Sequence, residues 1–262
     1  MRKQKFKLPL KLILIPAIIL LAISFLIGYI WKVLNNSDFF AVKQVVVRNS
    51  AVSFDYLKGR NIFGLDLKDC SRRALLGCPD CRVVRFARIL PDCVFVDFVK
   101  RNAVALVKFY RDFAIDAQGV LFYPPADGGQ AELPVIYGLE TKIFKPVTGT
   151  RYYRPEINLT LSIISEFNSN KNFRGFSLKR IDVAHPESAG FFMLLSGRPV
   201  NYAGADSKRE WAGFEVRTGE ENIRAKMMVL GGLVKQASGE WANIKYIDLR
   251  FKEPVIKLKD AL

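Results

Sequence analysis

Residues 12–31 carry no ionisable side chain, and 16 of the 19 positions from 13 to 31 are apolar. Twenty residues at ~1.5 Å rise span ~30 Å, the hydrocarbon thickness of a bilayer, which predicts a transmembrane helix over 12–31. Pro16 lies near one end, where a missing N–H costs least, and Tyr29 and Trp31 lie at the other as interfacial anchors. A cleavable leader would have an apolar region of only ~7–15 residues and a small-residue cleavage site after it. Here Lys32, Val33, Leu34 and Asn35 follow instead. The segment reads as an uncleaved signal anchor.

Beyond it the pattern changes to short alternating and helical stretches. Residues 40–48 read as a strand ended by Asn49 and Ser50. Residues 53–58 read as a short helix with Ser53 as its N-cap, and 59–64 as a turn-rich loop plugged by Ile62 and Phe63. A second helix fits 66–76, capped by Asp66 and stopped by Gly77 and Pro79. Strands follow at 82–89 and 93–100, joined by a Pro91–Asp92 turn. The order is β-α-α-β-β.

Further on, 113–115 and 120–123 flank a hairpin turn at 116–119. Helices are predicted over 155–167, with Ile157, Leu161, Ile164 and Phe167 on one side, and over 219–235, with Ile223, Met227, Leu230 and Val234 at helical spacing. Strands are predicted at 176–183, 191–195, 244–251 and 255–258. In 244–251 the alternation puts Lys245, Ile247, Leu249 and Phe251 on one face and Ile244, Tyr246, Asp248 and Arg250 on the other. Asp248 and Arg250, two apart, are placed to pair across strands or with a partner. Residues 198–213 read as a possible insertion.

Charge sets the direction of the anchor. Arg2, Lys3, Lys5, Lys7 and Lys11 precede it, while Lys32 is the single cation between it and Lys43. The positive-inside rule then keeps the N-terminus in the cytoplasm and exports the rest. The exported part has 34 basic and 25 acidic residues, a net +9 without a basic tract. That suits anionic lipid or acidic wall polymers, and the compartment excludes nucleic acid.

A resemblance rests on several motifs in order. They are 59–67 (GRNIFGLDL), 83–106 (VVRFARILPDCVFVDFVKRNAVAL), 114–122 (AIDAQGVLF), 133–139 (LPVIYGL) and 246–251 (YIDLRF). The Arg88 to Pro91 spacing, and Lys100 and Arg101 before Ala103, Val104 and Ala105, are part of it. Behind a signal anchor, these resemble the bacterial cell-division family FtsQ (DivIB), over about 40–258. The resemblance implies an α+β fold: a cytoplasmic tail at 1–11, the helix at 12–31, a POTRA domain at 39–107, and at 108–262 a mixed β-sheet domain with two long helices. It implies a single-pass type II protein of the inner membrane, a divisome scaffold in septum assembly that is not an enzyme and holds no cofactor or metal. It implies FtsB- and FtsL-like partners bound at the end of the second domain, through Tyr246, Asp248, Arg250, Phe251 and Val255. Two other functions stay open: a POTRA-bearing envelope transport or assembly factor, and a membrane-anchored wall hydrolase.

The residues offer little catalytic chemistry. One His excludes a multi-His metal site, and His185 lies in a polar loop before Pro186. Glu220 and Glu221 read as first-turn carboxylates favoured by the helix dipole, and Gly231 and Gly232 lie inside a helix rather than after a strand, so they form no phosphate loop. The four cysteines are Cys70, Cys78, Cys81 and Cys93. The Cys78–Cys81 spacing resembles a redox or zinc half-site, but the pair closes a helix rather than opening one. In a hairpin placing Cys93 near Arg88, Cys81 lies roughly 23 Å off at ~3.3 Å per residue, beyond a shared metal. A disulfide is left open between Cys78–Cys81 and Cys70–Cys93.

Overall fold

The computed structural model describes residues 10–124, 133–199, 211–237 and 241–259, the side chains of 10–13, 196–199, 211–212 and 242 excepted. It divides into two compact units, Met1–Lys100 and Arg101–Leu262.

The first unit begins with α1 (Leu10–Asn36), of which the 23 residues Leu14–Asn36 are long and apolar enough to cross a membrane. The helix outruns the expected 12–31 by five residues at its C-terminal end. Lys11 falls within α1 with its side chain outside the described residues, and Arg2, Lys3, Lys5 and Lys7 lie outside them altogether.

A 3-10 turn at Asp38–Phe40 leads to β1 (Gln44–Arg48), shorter than the strand expected over 40–48. The expected helix at 53–58 is a single 3-10 turn, Asp55–Leu57. Gly59, at φ 78°, ends it before an α turn can close, and Phe54 rather than Ser53 is the N-cap; the Ser53 hydroxyl donates to the Asp55 carboxylate and accepts from the Asp55 amide. α2 (Leu67–Leu76) forms as its sequence dictates: Asp66 accepts from the Lys68 and Asp69 amides, and Gly77 follows the last turn.

β2 (Cys81–Ile89) and β3 (Cys93–Lys100) form the hairpin, with Ile89 opposite Cys93. β3 is the central strand: β1 pairs with it in parallel, β2 antiparallel. Val84, Val94, Val96 and Phe98 face Leu57, Ile62 and Leu65 in a core of their own. Of the two cysteine pairings, Cys78–Cys81 is formed, closing the turn from α2 to β2, and Cys70 and Cys93 are free thiols.

The second unit is a nine-stranded mixed sheet. Its strands are β4 (Ala103–Lys108), β5 (Asp112–Asp116), β6 (Leu121–Phe122), β7 (Val135–Tyr137), β8 (Phe176–Asp182), β9 (Gly190–Pro199), β10 (Trp211–Arg217), β11 (Ile244–Asp248) and β12 (Val255–Leu258). Their spatial order is β12-β11-β10-β9-β8-β7-β4-β5-β6. β4 pairs with β5 and, in parallel, with β7, so residues 103–107 belong to this sheet rather than to the first module where the sequence reading put them. Three pairings, β4–β7, β7–β8 and β10–β11, are parallel; the others are antiparallel.

α3 (Pro155–Ser169) and α4 (Ile223–Gln236) pack on each other and share one core with the sheet. Pro155 opens α3, where its missing N–H costs nothing. The α4 stripe Ile223, Met227, Leu230 and Val234 is buried, as its spacing requires. Gly231 lets the helices close: a Cβ there would lie 2.6 Å from Nδ2 of Asn170, which donates to the Met227 carbonyl. Glu220 and Glu221 precede α4 instead of opening it, because Asn222 turns the chain at φ 51° as the N-cap. The span 198–213 contains the end of β9 and the start of β10; residues 200–210 lie outside the described residues.

Candidate partner interface at the sheet edge

Among the described residues, β12 is the outermost strand at one end of the nine-stranded sheet and pairs only with β11. All four of its residues are exposed. Lys259 N donates to the Asn243 carbonyl, so the amides of Lys257 and Val255 point the same way, toward β11. Those of Ile256 and Leu258 therefore point away from the sheet, a row of main-chain groups open to another strand. Val255, Ile256 and Leu258 supply apolar side chains along it.

The next strand in is shaped by a bulge. The β11–β12 register shifts between Ile244 and Tyr246. Ile244, Ile247, Asp248 and Leu249 are buried while Lys245 is exposed, so the simple alternation expected over 244–251 breaks at Lys245. The strand ends at Asp248, and Phe251 sits in the bend after it, 61% exposed.

Asp248 and Arg250 satisfy each other within the chain. The Asp248 carboxylate, 3% exposed as a residue, accepts from Nε of Arg250 at 3.0 Å and from Nη2 at 2.6 Å, and from the Arg250 backbone amide at 3.0 Å. The Arg250 side-chain hydrogen bonds hold the Asp248 pKa below its ordinary value against the opposing effect of burial, with the Arg250 backbone amide and the charges of Arg250 and Arg217 adding to them. The same hydrogen bonds raise the Arg250 pKa.

β10 contributes two residues that the sequence reading did not single out. Glu215 lies opposite Tyr246, and Arg217 opposite Asp248. Arg217 Nε donates to Glu215 at 2.9 Å, which raises the Arg217 pKa, and its guanidinium lies 4.4 Å from the centre of the Tyr246 ring. Arg250 stands 5.9 Å from the Phe251 ring. The signal was present in the strand alternation of Phe214 and Val216, both buried, against Glu215 and Arg217.

The result is a surface of two arginine–aromatic contacts beside an open strand. Tyr246 is half-buried and Asp248 buried, whereas Arg250, Phe251 and Val255 are exposed, all five on β11, its exit bend and the start of β12. The arrangement suits binding: main-chain groups give affinity, and the side chains beside them give selectivity. Among the described residues, the one metal-capable cluster is Cys78, Asp80 and Cys81, whose two thiols are joined to each other.

A family model described as cell division protein FtsQ/DivIB, C-terminal, matches residues 103–250, from the start of β4 to Arg250. A curated relative, the cell division protein FtsQ of Geotalea daltonii, is 23% identical over 242 residues, covering 88% of this chain and 81% of the relative.

Proposed function

The chain belongs to the FtsQ/DivIB family of cell-division proteins, and from that premise we propose that it works as a non-enzymatic scaffold that recruits its partners by strand addition at β12. Its role in cell division as a membrane-anchored component among other divisome proteins follows from the family and from α1. The finer reading has three parts. The N-terminus lies in the cytoplasm, with both folded units on the far side as a single-pass type II protein. The first unit is a POTRA domain, and the second is the partner-binding β-domain. FtsB- and FtsL-like proteins pair an extended segment with the outer edge of β12, and Tyr246, Asp248, Arg250, Phe251 and Val255 border that segment.

The open edge of β12 is the observation that carries this reading. A membrane tether adds to it: holding both proteins at one surface raises their effective concentration, so a short strand suffices.

The test is co-purification of the full chain with its cognate FtsB- and FtsL-like proteins. Ile256→Pro removes an outward amide while sparing the ladder to β11, and it abolishes recovery. Ile256→Ala keeps the amide and retains it. Tyr246→Glu and Phe251→Glu weaken recovery. Full recovery with a folded Ile256→Pro chain would overturn the proposal.

A further inference from the structure

Helix C-termini leave four carbonyls without intrahelical partners. At the end of α1 the loop 61–64 takes up part of that need. Nδ2 of Asn61 donates to the Leu34 carbonyl at 2.8 Å and to that of Ser37 at 3.4 Å, while its Oδ1 accepts from the Phe63 amide at 2.9 Å. Main-chain bonds from Ile62 to Phe40 and from Val42 to Arg60, each 2.9 Å, tie the same loop to the chain leaving the helix. The Phe63 ring then lies 6.4 Å from Trp31 and 5.0 Å from Phe40, which is 5.0 Å from Phe39.

Depth follows from helix geometry. Trp31 closes the apolar run of ~30 Å and so marks the hydrocarbon boundary. The helix continues five residues beyond it, ~7.5 Å at 1.5 Å each. A ring in contact with Trp31 lies near that boundary, below the helix end. The aromatic row is continuous with the membrane-crossing surface of α1; Phe39 is 62% exposed, and Lys32 and Arg60, next in sequence to Trp31 and Asn61, are exposed cations.

We propose that Asn61, Phe63 and Phe39 form a lipid-binding collar, seated in the phospholipid headgroup layer around α1, with Asn61 bolting the folded first unit to the helix. The bilayer surface is its partner: aromatic rings suit the interface, and the two cations suit lipid phosphates. The collar fixes the tilt of the unit on the membrane.

The full chain is reconstituted in nanodiscs of phosphatidylethanolamine and phosphatidylglycerol containing a phospholipid with a diazirine near its headgroup. After irradiation, labelled residues are mapped by mass spectrometry. Phe39 and Phe63 are expected to be labelled along with Trp31, several-fold above Leu76 and Phe144, which are 82% and 81% exposed. Labelling of Phe39 and Phe63 no higher than of those two would overturn the proposal. In Asn61→Ala, labelling of Phe63 falls several-fold while that of Trp31 stays; unchanged Phe63 labelling would remove Asn61 as the bolt.

Discussion

Arg101 and Asp116 meet at 2.6 Å with side chains only 10% and 7% exposed, the most buried of the ion pairs among the described residues. Arg101 lies just before β4, and Asp116 closes β5 at the hairpin turn. The second Asp116 oxygen accepts from the Gln118 and Val120 amides, so one carboxylate shapes the turn and pins the start of the neighbouring strand. Arg101 Nε has no partner among the described residues, and Asp116 is the carboxylate that meets the Arg101 charge.

Asp116→Asn keeps the turn's shape and strands a buried guanidinium. The expected loss is about 3–5 kcal/mol, read as a drop in the urea midpoint of the full chain in detergent. The double variant Arg101→Met with Asp116→Leu recovers part of it, because no charge is left unpaired. A single-variant loss under ~1 kcal/mol would show the pair to be inert.

Asp248 contributes pH-dependent stability. Its pKa in the fold is lowered from 3.8, chiefly by the Arg250 side-chain hydrogen bonds, so the folded chain holds that proton more weakly than the unfolded one. The stabilisation is complete above the unfolded value and is lost as pH falls through the folded one. Asp248→Asn is therefore expected to cost about 1.5 kcal/mol at pH 7, at the low end because Arg250 is 35% exposed. The gap between variant and wild type closes below pH 3.8. Unfolding curves at pH 7, 5 and 3 check this; a gap that is constant in pH would assign the cost to packing.

Pattern alone revealed the pieces that bury one face. α2, α3 and α4, the β2–β3 hairpin and β8 were legible because their apolar spacing is regular, and α1 because its apolar run is unbroken. What joins distant parts was not. β4 reads as an extension of β3, only two residues away, and nothing local says that Leu106 pairs with Val135. At the candidate interface, Tyr246 and Asp248 were visible as strand residues, but the bulge that exposes Lys245 is set by pairing with β12, and Arg217 reaches Tyr246 only through the parallel β10–β11 contact. Pairing register is a property of two strands, and single-strand periodicity does not contain it.

Gly138 cannot bear a side chain. Its φ is 91°, and a Cβ would fall 2.2 Å from the Ala184 amide nitrogen, where β7 runs out beside β8. Gly138→Ala is expected to cost about 3 kcal/mol or more, seen as loss of a cooperative thermal transition or of soluble yield. A melting temperature within ~2 °C of wild type would contradict the close approach.

The thiol count is open to direct test. Alkylation of the unfolded, unreduced chain should label two cysteines, Cys70 and Cys93, and labelling after reduction should reach all four. Peptide masses locate the adducts. Four adducts before reduction would mean that Cys78 and Cys81 are not joined in the purified protein.

β3 and β4 are separated by two residues, and each lies between two neighbours in its own sheet. A constricting septum pulls on whatever is fastened to it. If a partner is captured as proposed, tension between it and the bilayer passes from β3 to β4, two inner strands that each have a neighbour on both sides. On the strand addition proposed above, β12, zipped to one neighbour, would be the fuse in that circuit, giving way before the inner strands.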